Sequence, residues 1–335
     1  KAEINPMQYG TIVHYILERF FGEYTKEEYL SLEEDKFQKI VCAYLSEYAV
    51  TYFGEEQLES NSFTYRLKTI LDNVMYLMKH IMEELSQSEF FVADCELKIG
   101  EDIPSYTIAL PDGHKIAVCG SVDRVDIMQR ADITYLRIID YKTGTKQFKL
   151  SDILYGINLQ MLLYLHSIET SGGDKYGDIV PAGILYMPAT VPYISSDSLK
   201  SIDKLPDELN KKLKMNGLLL KDTEIIHGMD KTDAATYIPV KIKAGEPVSS
   251  TSLATLAEFG KIFKKVDMLI AEMGKNIYNG NIEAKPLKGG HDSCEYCPYD
   301  SVCAYRQSNP ITCFSVDNKT VIEEITNEIN GKEEE

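Results

Sequence analysis

The hydrophobic pattern of this chain changes period, and that change decides most of what the chain can fold into. Through residues 6–24 the apolar residues Ile12, Val13, Ile16, Leu17, Phe20 and Phe21 recur at helical spacing, and Pro6 suits a first turn. Two more helices are expected near 27–52 and 63–88, the second with Leu67, Ile70, Leu71, Val74, Leu77, Met78 and Ile81 on one stripe. From 90 to 142 the pattern turns to β. Segments 91–99, 104–110, 115–128 and 133–142 read as strands, with Pro111-Asp112-Gly113 as a turn. Residues 151–168 read as an amphipathic helix with Ser151 or Asp152 as N-cap, closed by Ser171-Gly172-Gly173, and 178–187 is an apolar strand. A helical front, a β-meander, a helix and a further strand imply an α/β fold with a mixed central β-sheet flanked by helices. Beyond it the expected elements are a helix at 206–214, a strand at 236–243 and a long helix at 251–279. A Gly-, Pro- and Cys-rich loop over 286–310 and an acidic tail follow, and the end, Asn330-Gly331-Lys332-Glu333-Glu334-Glu335, reads as solvated.

Composition narrows the function classes. No apolar run approaches the roughly 18–20 residues that span a bilayer, so no membrane partner is expected. No signal peptide is visible at the start, which also lacks an initiator Met, so the chain reads as a fragment or a processed product. A net charge of −17 argues at first against nucleic acid. The acid excess, however, sits mostly at the ends: residues 1–60 carry 5 basic and 12 acidic side chains, and residues 311–335 carry 2 and 7. A basic groove elsewhere remains compatible with the total. Seven cysteines, an odd number with no export signal, point to a reduced, cytoplasmic protein.

The densest chemistry lies in Gly120-Ser-Val-Asp123-Arg124-Val-Asp126 and Ile138-Ile139-Asp140-Tyr141-Lys142. Strand alternation puts Asp140 and Lys142 on one face, and pairing of the two strands brings Asp123 beside Asp140. Two converging carboxylates repel unless a cation sits between them. Oxygen ligands of this kind suit Mg²⁺ or Mn²⁺, and a neighbouring lysine suits metal-assisted phosphodiester hydrolysis. Asp126, three residues after Asp123, should face away and pair with Arg124. Glu96 is either a further acid at the site or part of a solvated strand face.

These residues resemble the PD-(D/E)XK nuclease superfamily, in its RecB-like branch. The matching motifs are Gly10-Thr-Ile-Val-His14, Gly120-Ser-Val-Asp123, Asp140-Tyr141-Lys142 and Gln160-Met-Leu-Leu-Tyr164. Asn5-Pro6-Met7, Lys214-Met215-Asn216-Gly217-Leu218 and the late cysteines resemble the nuclease domain of the B subunit of AddAB-type helicase–nucleases. The resemblance implies a restriction-endonuclease-like core with a helical N-terminal part. It implies Asp123, Asp140, His14 and the Tyr141 carbonyl as metal ligands, Lys142 acting on the attacking water, and Gln160 and Tyr164 orienting DNA or the lysine. The corresponding division is a helical part at 1–90, a nuclease core at 91–189, an insertion and long helix at 190–285, a cysteine loop at 286–310 and an acidic tail at 311–335.

Cys294-x2-Cys297-x5-Cys303 has metal-ligand spacing. Alone it slightly favours zinc, with His291 as a fourth ligand. The resemblance instead implies a 4Fe–4S cluster whose remaining cysteine lies upstream of the His helix, where this sequence has none; Cys42 or Cys313 lacks the family position. The cluster is therefore expected to be incomplete in this chain. The leading expectation is a metal-dependent exonuclease that cleaves single-stranded DNA fed by a helicase A subunit, in double-strand break processing. Lys142, Lys146, Lys149 and the trio Lys211, Lys212 and Lys214 are groove candidates. The competing readings are an inactive nuclease fold that docks DNA or a partner, and a free-standing RecB-like exonuclease.

Overall fold

A computed structural model of the chain describes residues 4–333 apart from 111–112, 145, 193, 195–204, 250 and 304–309. Two residues of the expected 111–113 turn and part of the cysteine loop therefore lie outside the described residues.

The first helix, α1 (Pro6–Glu23), starts where its sequence dictates. Asn5 and Gln8 form a reciprocal capping box, Pro6 opens the first turn, and the six apolar residues of the periodic stripe are all buried. The single helix expected over 27–52 is two, α2 (Lys26–Leu30) and α3 (Glu34–Phe53). Ser31 closes α2 through its hydroxyl bond to the Glu28 carbonyl, and Glu34 and Asp35 in the first turn of α3 suit a new helix N-terminus. A short α4 (Glu55–Leu58) leads into α5 (Asn61–Ser86), whose stripe turns Ile70, Val74, Leu77, Met78 and Ile81 inward.

The strands follow: β1 (Phe91–Ile99), β2 (Tyr106–Ala109), β3 (Lys115–Val118), β4 (Gly120–Arg130) and β5 (Ile133–Lys142). The expected helix over 151–168 is broken. A 3₁₀ turn at Leu150–Tyr155 is followed by Gly156 and Asn158, both in the left-handed region at φ 68° and 55°, and α6 starts only at Gln160 and ends at Ser171. Asp152 is accordingly no helix cap; it accepts a bond of 2.6 Å from the Asn158 amide. The short α7 (Gly173–Tyr176) leads to β6 (Asp178–Pro188).

The remaining elements are α8 (Leu205–Leu213), β7 (Asn216–Leu220), α9 (Thr223–Met229), β8 (Lys241–Lys243), β9 (Glu246–Val248), β10 (Leu253–Ala254), α10 (Leu256–Tyr278), β11 (Leu287–Gly289), α11 (Asp300–Cys303), β12 (Ile311–Cys313) and α12 (Asn318–Glu333). Several of these differ from expectation, and the long helix expected from 251 begins only at Leu256, after the strand β10. Only Lys241–Lys243 of the 236–243 segment is a strand, while the sheet strand lies earlier, at β7. The chain there passes so close to β6 that a Cβ on Gly217 would lie 2.0 Å from the Ile184 carbonyl oxygen. The acidic 311–335 segment carries a helix, α12, in which Val321, Ile325 and Ile329 recur one turn apart and are buried.

Six strands make one mixed sheet in the order β1-β4-β5-β6-β7-β10. β1, β4 and β5 pair antiparallel, β5 and β6 pair parallel through the α6 crossover, and β7 runs antiparallel to β6 and parallel to β10. This is the α/β architecture of a central mixed sheet flanked by helices that the pattern of periods implies. α1 packs on β1, and α6 packs on β5 and β6. Among the described residues no helix is long and apolar enough to cross a membrane.

Candidate active site

The site forms where α1 crosses the β1–β4–β5 meander. The register that pairs Arg124 with Ile139 places Asp123, one step on, beside Asp140. Asp123 Oδ2 accepts the Tyr141 backbone N–H at 2.9 Å, which ties the first acid to the strand that carries the second. Burial pushes the Asp123 pKa up to about 6; His14 and the Tyr141 N–H pull it down, while Asp140 adds to the rise.

α1 delivers His14 onto this pair, with Nε2 3.6 Å from Asp123 Oδ2 and Nδ1 3.1 Å from Glu96 Oε1. Burial works against the imidazolium. The hydrogen bond to Glu96, the Asp123 and Glu96 charges and the Tyr141 carbonyl outweigh it and raise its pKa. Glu96 belongs to the site and not to a solvated strand face. It sits between the Cys95–Arg124 and Leu97–Val122 pairs of β1 and β4, at φ 50°, a conformation that costs a non-glycine residue about 1–3 kcal/mol. Its other oxygen accepts the Ser121 hydroxyl at 2.9 Å. The bond from His14, aided by Ser121 and opposed by burial, holds its pKa below the usual carboxylate range.

One ligand atom from each of His14, Glu96 and Asp123 can be chosen so that all three lie within 4.8 Å of one another. Asp140, beside Asp123 across the strand pair, is not part of this group. It is buried, and its Oδ2 lies 2.6 Å from Lys142 Nζ as an ion pair without hydrogen-bond alignment, leaving that oxygen with no hydrogen-bond donor. A crowded carboxylate with a raised pKa, a second carboxylate with an orphaned oxygen, a third acid and an imidazole fit a hard divalent cation.

Tyr164 lies against Gly120, where a Cβ would come within 2.2 Å of its hydroxyl. Gly-x-x-Asp thus needs its glycine so that α6 can seat on β4. Gln160 is exposed in the first turn of α6. The Tyr141 side chain points to the opposite face and its hydroxyl accepts from Arg124 at 3.3 Å. On that face Asp126 does more than pair with Arg124. Arg124, Asp126, Arg137 and Glu84 of α5 form a quartet of charges with fully buried side chains.

Two cavities meet at the site. One, of about 690 Å³, is lined by His14, Glu96, Ser121 and Lys142. The other, of about 840 Å³, is lined by Lys142, Lys146, Lys211, Lys212 and Lys214. They share Lys142, Thr143 and Gly144. Lys149 is not among the residues lining either cavity. Tyr186 supports the junction, its ring 6.0 Å from Lys142 Nζ and 5.1 Å from Lys146 Nζ. Burial and the Lys142 charge lower the Lys146 pKa. Ser121 and Tyr186 escape sequence reading, although Ser121, two residues before Asp123, shares its strand face.

All seven cysteines are free thiols, and Cys294, Cys297, Cys303 and His291 form no close ligand group among the described residues.

Comparison with known proteins agrees with the site. The PD-(D/E)XK nuclease superfamily profile matches residues 1–304. A protein of Thermoanaerobacter sp. (strain X514), named as the B subunit of an ATP-dependent helicase/deoxyribonuclease, is 39% identical over 246 residues, covering 72% of this chain and 21% of the relative. Proteins of the same name from Ruminiclostridium cellulolyticum and Clostridium kluyveri are 33% and 34% identical, covering 93% and 97% of this chain and 28% and 29% of theirs. The chain thus spans less than a third of the length of these relatives. The match over nearly the whole chain, with the acids and lysine on adjoining strands, establishes that the chain belongs to the PD-(D/E)XK nuclease superfamily.

Proposed function

We propose that this chain is the nuclease domain of the B subunit of an ATP-dependent helicase/deoxyribonuclease, and that it hydrolyses single-stranded DNA as an exonuclease during double-strand break processing. The observation that carries the reading is that the cavity lined by His14, Glu96 and Lys142 adjoins, across Lys142–Gly144, a cavity lined by five lysines. The names of the relatives support the DNA substrate and a helicase A subunit as partner. The seven unpaired thiols support a reducing cytoplasmic setting.

Asp123, Asp140, His14 and the Tyr141 carbonyl would hold Mg²⁺ or Mn²⁺, with Glu96 as a further acid. Such an ion lowers the pKa of a bound water and neutralises charge on the scissile phosphate. The chain's own residues do the rest. The Tyr141 N–H fixes one Asp123 oxygen and leaves the other for a ligand. Ser121 and His14 hold Glu96 in its strained position. Lys142, anchored by Asp140 and flanked by the Tyr186 ring, presents an ammonium at the junction of the two cavities, where it can orient the attacking water and offset charge on the phosphoryl oxygens. The lysine cavity holds the phosphates of the strand leading to the acids. Gln160 and Tyr164 act as positioning residues from α6.

The test is cleavage of an end-labelled single-stranded oligonucleotide with Mg²⁺ or Mn²⁺ and with EDTA. Asp140→Asn and Lys142→Ala should each cost roughly 10²-fold or more, and EDTA should abolish cleavage. Full cleavage by either variant ends the catalytic assignment. A wild-type chain that binds the strand but cuts with neither metal would instead be a docking module.

A further inference from the structure

A further cavity lies apart from the acid cleft. It measures about 1040 Å³ and is built by the residues flanking β7, by β10, the β8–β9 hairpin, the first turn of α10 and α12. Its titratable lining is Lys214, Lys221, Lys241, Lys243, Lys319 and one acid, Glu258. That is five cations to one anion in a chain whose net charge is −17. The single acid is already engaged, since Glu258 accepts the Thr255 N–H and hydroxyl at 2.7 and 2.9 Å as the cap of α10.

The lysines differ in how they are held. Lys214 Nζ is bound to the Ala235 and Val240 carbonyls, so it forms a wall. Lys319 reaches Glu323 only at 3.7 Å. Lys221, Lys241 and Lys243 are exposed and in no ion pair among the described residues. Lys241 and Lys243 flank the inward Ile242 on β8 and so project from one side, roughly 7 Å apart along the strand, a spacing that suits successive phosphates of an extended chain. Their hairpin is closed by Ala244 and Gly245, both at positive φ, which sets it as a tight primed turn. Glu246, opposite Lys243, is turned away to the Thr223 hydroxyl at 2.7 Å.

This cavity shares Lys214, Thr251 and Ser252 with the lysine cavity beside the acids. Three cavities therefore run in series from the acid cleft outward. We propose that the outermost one is a remote backbone subsite, where Lys221, Lys241 and Lys243 grip phosphates of the same single DNA strand whose end is cut at Asp123 and Asp140. The inference rests on the nuclease reading for its substrate and adds a second point of contact distant from the chemistry.

The test uses the 335-residue chain, with Lys221, Lys241 and Lys243 together changed to Gln. Fluorescence anisotropy with EDTA measures binding of oligothymidylates of about 5 and about 20 nucleotides across a salt series. Each lost single-strand phosphate contact lowers the log–log salt slope by about 0.7, so the long strand should lose about 2 in slope. The short strand should keep its slope and its Mg²⁺-dependent cleavage, which also reports that the variant is folded. An unchanged slope for the long strand, or equal losses for both strands, overturns the proposal. Asp140→Asn separates the two readings: if it still cleaves, the nuclease assignment fails, whereas the slope difference stands or falls by itself.

Discussion

Asp126→Asn is the most exacting perturbation of the charge arrangement under the site. Asp126 Oδ1 accepts Arg124 Nε at 2.7 Å, and Oδ2 accepts Arg124 Nη2 at 2.7 Å and Arg137 Nε at 3.0 Å. Glu84 takes one bond from each arginine, at 3.1 and 2.6 Å. All four side chains are fully buried, and Arg137 rests over the Phe90 ring at 4.9 Å with its Nη1 unpartnered. Two positive and two negative charges balance in a fully buried site. The asparagine removes one negative charge and turns an amide donor toward a guanidinium, leaving two cations over one carboxylate. Breaking a buried pair from one side costs about 3–5 kcal/mol, which is the expected loss in urea unfolding of the variant. Asp126→Asn with Arg137→Met removes the stranded cation as well and should lose less than the two single changes summed. Burial alone would raise the Asp126 pKa; the two guanidiniums overcome it and hold it below 3.8. Its contribution is therefore present above 3.8 and lost only as pH falls through the depressed folded value. A loss under about 1 kcal/mol, or strict additivity of the pair, would refute the account of the quartet as mutually dependent charges.

His166 makes the opposite prediction with pH. Despite burial, its bonds to Asp267 and Glu169 raise its pKa to about 9, so its stabilisation is complete below about pH 6.5 and lost as pH rises through about 9. Wild type should thus lose more thermal stability between about pH 7 and about pH 10 than His166→Gln, and parallel curves would dismiss the effect. Gly120→Val should displace Tyr164 from β4 and cost about 1–3 kcal/mol, with reduced cleavage; a variant as stable and active as wild type would show that α6 tolerates the shift. His14→Ala should raise the Mg²⁺ concentration for half-maximal cleavage by roughly 10-fold or more while saturating metal restores most of the rate, and an unchanged metal requirement would remove His14 from the site.

What can be read in advance follows from how local each signal is. The α1 stripe and the Asp140-x-Lys142 pair depend on alternation within one segment, and the structure keeps them, whereas the strand expected over 115–128 splits at Cys119 into β3 and β4, and β2 with β3 forms a separate two-stranded sheet. The break before Gln160 depends on left-handed Gly156 and Asn158, which a helical average over 151–168 hides. β7 is hidden because its apolar run is short and bears Gly217, a residue that weakens a strand by itself and is required only by contact with β6. α12 is obscured by its acids, although Val321, Ile325 and Ile329 carry the period; its Glu328 pairs with buried Lys265 of α10 at 2.6 Å, a contact no local pattern announces. Glu84 and Arg137 lie 53 positions apart and meet only because α5 packs on the sheet.

The run Asp123-Arg124-Val125-Asp126 shows how one strand serves two opposed demands. Asp123 faces the acid cleft, where its carboxylate is crowded by Glu96 and Asp140 and its pKa is pushed up. Arg124 and Asp126 face the other side, where opposite charges are matched and the carboxylate is stabilised. Concentrated negative charge destabilises a fold and would tend to splay β4 from β5. The quartet opposes this, because Arg124 on β4 and Arg137 on β5 are bridged by the same two carboxylates, and Arg124 also holds the Tyr141 hydroxyl. Tyr141 in turn gives its backbone N–H to Asp123. The acids can therefore be held close because the rear face of the same two strands is riveted. Loosening that rivet should weaken metal binding as well as stability, although none of its four residues touches the metal site.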